Sequence, residues 1–222
     1  MATTTPLPIF QPSQHGPERP RLIRRAQRLA WFGIAWHVAE AAIAIAAGVA
    51  ASSIALVGFG ADSVIESVAG FVVLWLFAAP RAGSARAERR AQQVIAISFY
   101  VLAAYIAVEA IRGLALANEP EASWVGIGLA AVTLVAMPPL AKAKERVATQ
   151  LDSSATAAEG RQNMLCAYLS AALLVGLGAN ALLGWWWADP ATALIIAAVA
   201  VREGRNSWRG ESCSCCAPVT GS

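Results

Sequence analysis

Along most of the chain apolar residues come in long blocks. They show neither the two-residue alternation of half-buried strands nor the polar face of a surface helix. Six blocks, at about 29–50, 53–79, 94–116, 122–141, 157–183 and 187–207, are each near the roughly 20 residues that carry a helix across a bilayer. Strands of a membrane barrel would alternate within short segments, and these do not. The sixth block is the weakest, because Asp189-Pro190 near its start leaves a short apolar core; a proline in a first helical turn, however, loses no hydrogen bond. The pattern predicts an all-α membrane protein, a bundle of six transmembrane helices over residues 25–210.

Composition agrees. Of 222 residues, 57% are hydrophobic and 14% charged, against about a quarter charged in soluble domains. A formal net charge of +3 gives no reason to expect nucleic acid as a partner; the lipid bilayer is the expected surroundings. Residues 1–24, rich in Pro, Thr, Gln and Arg, read as a disordered cytoplasmic N-terminus, and His37 and Glu40 interrupt the apolar run that a signal peptide would need. The sorting of basic residues sets the topology. Arg19, Arg21, Arg24, Arg25 and Arg28 precede the first block, and Arg81, Arg86, Arg89 and Arg90 follow the second. Lys142, Lys144, Arg146 and Arg161 lie between the fourth and fifth, and Arg202, Arg205 and Arg209 close the sixth. Of the 17 basic residues, only Arg112 falls toward the other side. The positive-inside rule then places both termini in the cytoplasm, and the tryptophans at 185–187 at the opposite interface. The expected location is a plasma or inner membrane, as an integral multi-pass protein.

Within these blocks a few polar residues stand out. Asp62 and Glu66 are the only charges between Glu40 and Arg81. At 1.5 Å per residue they lie about 14 and 20 Å below the outer start of the second block, near the bilayer centre. An ionised Asp there costs roughly 2.5–3.5 kcal/mol on insertion scales, and residues four apart share one helix face. A carboxylate pair so placed must face the protein interior or a water-filled cavity, where it holds a proton or binds a cation. The fifth block offers a second pair at the same spacing, Gln162 and Cys166, with Cys166 again near the centre. Oxygen and sulfur ligands in a small cluster suit zinc or a neighbouring transition metal. Glu40 could join the same level, with His37 one turn away; each has a plainer role as a buried polar group bonded to a neighbouring helix. Glu109, three residues before Arg112, reads as a local ion pair or as an acid on the exit path. Cys213, Cys215 and Cys216 crowd the tail 211–222, where thiols could capture Zn²⁺ or Cu⁺, or be incidental. No nucleophile–base constellation suggests an enzyme, and no prosthetic group is implied.

The stretch "SIALVGFGADSVIESVAG" resembles the second transmembrane helix of cation diffusion facilitator (cation efflux) proteins. "TAAEGRQNMLCAYLSAALLVGLGAN" is similar to their fifth helix and "WWWADPATALIIAAVAVREGRNSW" to their sixth. The resemblance covers roughly residues 25–210. It implies a six-helix bundle, usually a homodimer, that exports zinc or a similar divalent ion in exchange for protons through a site between helices two and five. By position, Asp62 and Glu66 take the ligand places of helix two, and Gln162 and Cys166 those of helix five, where the family usually has His and Asp. The family's usual cytoplasmic ferredoxin-like domain does not follow the sixth block, so the chain resembles a compact form. Alternatives stay open at this point: the same fold moving Cd, Cu, Fe or Mn, or a membrane subunit that senses metal or scaffolds a partner without transporting.

Overall fold

The computed structural model describes residues 19–77, 85–116, 119–151 and 153–209. The tail cysteines lie outside the described residues, as does most of the N-terminal segment. Six α-helices follow one another: α1 (Arg19–Ala50), α2 (Ile54–Phe77), α3 (Ala85–Ala115), α4 (Trp124–Leu151), α5 (Ser154–Leu183) and α6 (Ala188–Arg209). The described residues contain no strand. Five of the helices, α1 to α5, are long and apolar enough to cross a membrane. In α6 the last two turns carry Arg202, Glu203, Arg205 and Arg209, which dilute its apolar content.

The helices outrun the apolar blocks at one end of the bundle, the basic end. α1 begins at Arg19, inside the segment read as disordered, and α4 runs ten residues past its apolar block, to Leu151. Apolarity reports the thickness of hydrocarbon, whereas a helix continues for as long as its backbone bonds are made. Beyond the block, α4 still presents an apolar stripe: Val147 and Leu151 pack with Ala26 of α1 in a small cluster of their own. Ser153 then caps α5, its hydroxyl accepting from the Thr156 N–H at 3.3 Å, so that α4 and α5 form a tight antiparallel hairpin.

Packing pairs α1 with α2, α4 with α5, and α3 with α6, and α2 also meets α3, α5 and α6. As the hub, α2 is the most buried of the spans, which explains why it can carry two carboxylates. α1 and α2 approach closely because small residues face each other: a Cβ on Gly60 would stand 2.7 Å from Ile45 and 3.0 Å from the Ala44 side chain. Such small-residue contacts are the usual seam between membrane helices. The main core draws on all six helices, through Ala44, Leu56, Phe59, Ile106, Met137, Leu173 and Ile196.

At the other end of the bundle Asp189 ties α6 to α2. Its carboxylate accepts from the Ser53 hydroxyl, from the Ile54 N–H at 2.9 Å and from the Ala55 N–H at 3.3 Å. Free N–H groups at a helix start favour an anion, here supplied by a different helix. α5 ends at Gly184 in the left-handed conformation, φ 65°. Trp185 and Trp187 stack there, ring centroids 5.4 Å apart. Trp31 and Phe71 meet edge to face near the basic end.

Candidate metal centre

Four helices contribute side chains to one buried polar cluster midway along the bundle. α1 supplies His37 and Glu40, three residues apart on its inward face; α2 supplies Glu66 and Ser63; α4 supplies Thr133; α5 supplies Cys166 and Asn163. All seven are buried. One ligand atom from each of His37, Glu40, Glu66 and Cys166 lies within 4.8 Å of every other.

The bonds within the cluster are specific. Glu40 accepts from Thr133 through Oε1 and from Ser63 through Oε2, the latter at 2.9 Å. The same Oε2 lies 3.1 Å from His37 Nδ1 and 3.8 Å from Cys166 Sγ. His37 Nδ1 is also 2.9 Å from Glu66 Oε2. That contact is within ion-pair distance but off the N–H axis, so neither Glu66 oxygen receives an aligned hydrogen bond among the described residues. On the far side of the ring, the Asn163 amide nitrogen stands 2.8 Å from Nε2 and 3.4 Å from Met137 Sδ, and Asn163 Oδ1 has no partner among the described residues. With that amide nitrogen donating to Nε2, the imidazole proton sits on Nδ1, between the two carboxylates.

Ligand distances of 2.0–2.3 Å put the donors of a tetrahedral zinc about 3.3–3.8 Å apart. The contacts from His37 to the two glutamates, and from Cys166 to Glu40, already lie near or inside that range. The widest separation, up to 4.8 Å, would need to close by about 1 Å. Imidazole nitrogen, thiol sulfur and two carboxylates form a mixed set of the type that zinc accepts. Bringing two carboxyls together in a buried site is costly unless a proton or cation offsets their charge, so the arrangement favours a positively charged guest.

The structure distributes the sequence-derived candidates unevenly. Glu66 and Cys166 both belong to the group of four. His37 and Glu40, expected as accessories, stand in the cluster beside them. Asp62 is buried one turn from Glu66 but contributes no atom to the group of four. Gln162 is half-buried, and its Nε2 has no partner among the described residues. Glu109 lies apart on α3, paired with Arg112 at 2.9 Å. Ser63, Thr133 and Asn163 were not anticipated. A signal for Asn163 existed: it precedes Cys166 by three residues, as good a helical neighbour as Gln162 at four. No sequence signal distinguishes Thr133.

Comparison with protein families matches the chain to the Cation efflux transmembrane domain over residues 30–209. No curated protein is similar enough to match the chain. A family match of that extent, across helices that enclose a buried four-ligand cluster, makes this chain a member of the cation efflux family and an integral multi-pass membrane protein of metal-cation transport.

Proposed function

We propose that the protein exports a divalent transition-metal cation, zinc foremost, from the cytoplasm in exchange for protons. The observation that carries this reading is the meeting of His37, Glu40, Glu66 and Cys166 in the middle of a bundle whose family moves metal cations. In this reading Glu66 and Cys166 bind the ion together with His37 and Glu40, while Asp62, one turn further from the basic end, takes it next on the way out. Gln162 stands one turn to the basic side of Cys166 and meets the ion as a weak ligand or orienter. The chemistry is binding and release, without covalent turnover.

Proton exchange follows from the position of the His37 proton. A cation bound at Nδ1 needs that nitrogen's lone pair, so the proton now facing Glu40 and Glu66 must leave or move to Nε2. Two carboxylates that share a buried site then lose the proton that shielded them and gain the metal instead. α6 is read as the sixth span: its 22 residues give about 33 Å, close to the hydrocarbon thickness of about 30 Å. Trp187 immediately precedes it and Trp208 closes it, both half exposed, as interfacial anchors do. Both termini are then cytoplasmic.

The test is uptake of Zn²⁺, Cd²⁺, Fe²⁺ and Mn²⁺ into liposomes containing only this protein, with an imposed pH gradient. Gradient-driven accumulation of zinc is the expected outcome. Binding of metal without flux under any gradient would overturn transport and favour a metal-sensing membrane subunit.

A further inference from the structure

A second buried charged group, carried by two of the same four helices, has no part in the cluster. Lys144 of α4 and Glu159 of α5 form an ion pair, Nζ to Oε1 2.5 Å, with side chains 1% and 7% exposed. It is seated against the backbones of α1 and α2, at glycines. A Cβ on Gly33 would stand 2.7 Å from Lys144 Nζ and 3.7 Å from Glu159 Oε1, and a Cβ on Gly70 would stand 3.5 Å from the same oxygen. At Gly33 the absent Cβ leaves room that the Lys144 ammonium fills; at Gly70 the tight neighbour is Ile34, at 2.7 Å, and Glu159 lies at ordinary contact distance.

The pair is in register with the metal centre. Gly33 precedes His37 by four residues, and Gly70 follows Glu66 by four. On α5, Glu159, Asn163 and Cys166 succeed one another at intervals of four and three, on one face. The pair therefore lies about one helical turn from the His37–Glu66 level, on its basic side. Toward the centre stand acceptors without aligned donors among the described residues: Asn163 Oδ1 on the way, and both Glu66 oxygens at the centre itself. The Lys144 ammonium pairs with the Glu159 carboxylate, and it is tethered to a helix with an interruption of its own. Pro138 and Pro139 lie inside α4, between Thr133 and Lys144. They offer no N–H to the carbonyls four residues back, so α4 lacks two backbone hydrogen bonds between the metal centre and Lys144.

We propose that Glu159 is the loading site for a divalent cation on the basic side of the transport path, and that Lys144 is its tethered plug. An arriving ion displaces the ammonium from Glu159, passes Asn163 Oδ1, and reaches the four-ligand centre; when the ion has moved on, Lys144 returns and closes the path. The proposal rests on the transport function given above.

The test uses the full chain with Cys213, Cys215 and Cys216 changed to Ser, leaving Cys166 as the sole thiol. Its reaction with a membrane-impermeant, positively charged methanethiosulfonate is timed from each side of sealed vesicles, with and without Zn²⁺. Lys144→Ala should speed labelling from the α4–α5 hairpin side at least about tenfold and leave the opposite side unchanged. Because that variant strands a buried carboxylate, Lys144→Ala/Glu159→Gln is measured beside it and should open the path equally. The double variant should also raise the KM for Zn²⁺ uptake about tenfold, as expected when one charged ligand is lost. Parental labelling rates in a monodisperse, helical double variant would overturn the plug, and a parental KM would overturn the loading site. Zn²⁺ protection of Cys166 separates this proposal from the function it rests on. Faster labelling that Zn²⁺ never slows keeps the plug and sinks the metal centre. Zn²⁺ protection with no change of rate in either variant does the reverse.

Discussion

Asn163 offers the most exacting check on His37 as a ligand. Its amide nitrogen is 2.8 Å from His37 Nε2; as a donor there it leaves the ring proton on Nδ1. A metal at Nδ1 reverses this: Nε2 then carries the proton, and the amide must turn over to present Oδ1, an atom with no partner among the described residues. The side chain is 2% exposed, so water cannot readily substitute. A hydrogen bond to a charged or metal-polarised group is worth about 1.5–3 kcal/mol, a factor of roughly 10 to 150 in affinity. Outer-shell partners of metal-bound imidazoles span a similar range, about 10–100-fold. Asn163→Ala should therefore weaken Zn²⁺ binding by one to two orders of magnitude, while Asn163→Asp, which sets a carboxylate against the same N–H, should retain or tighten it. Competition against a chromophoric chelator in detergent measures both, with circular dichroism melting to show that each variant is folded. A folded Asn163→Ala variant that binds zinc within about twofold of the parent, a difference under 0.5 kcal/mol, would remove His37 Nδ1 from the ligand set.

Three further outcomes are expected. Cys166→Ser nearly keeps the volume but replaces sulfur by a poor neutral oxygen ligand, so uptake of Cd²⁺ and Zn²⁺ should fall more than that of Mn²⁺; equal uptake of every metal would make Cys166 a packing residue. Glu40→Gln should reduce zinc affinity more than Asp62→Asn, because Glu40 and not Asp62 stands in the cluster, and the opposite order in titration calorimetry would return the site to α2 and α5 alone. Asp189→Ala strips the start of α2 of a buried acceptor for one hydroxyl and two N–H groups; it should cost about 2–4 kcal/mol, seen as a lower melting temperature in detergent, and an unshifted melt would show that water replaces the cap.

Much of this architecture was legible in the chain. Hydrocarbon is an unforgiving solvent, and a run of apolar residues inside it has helix as its available form, so the helices and their order follow from the blocks alone. The depth of Glu66 and Cys166 follows from counting at a fixed rise per residue, and a pair of acids at that depth called for either a held proton or a bound cation. Helix ends were less legible: α4 reaches Leu151 because Val147 and Leu151 find Ala26 on α1, a contact between residues more than a hundred positions apart. Asp189 could be seen to open α6, but that it caps α2 depends on a partner 135 residues earlier. The ligand set turned on the same limit. Helical periodicity places Asp62, Ser63, Glu66 and Ser67 on one broad polar stripe of α2, and Gln162, Asn163 and Cys166 on another of α5, without saying which edge of each stripe faces inward. That choice is a rotation of each helix about its own axis. It is set by the close approach of α1 to α2 at Gly60 and by the packing of α4 against α5. These contacts turn Glu66 toward His37 and Asn163 toward the imidazole, and they bring Thr133 to Glu40 across 93 residues of chain.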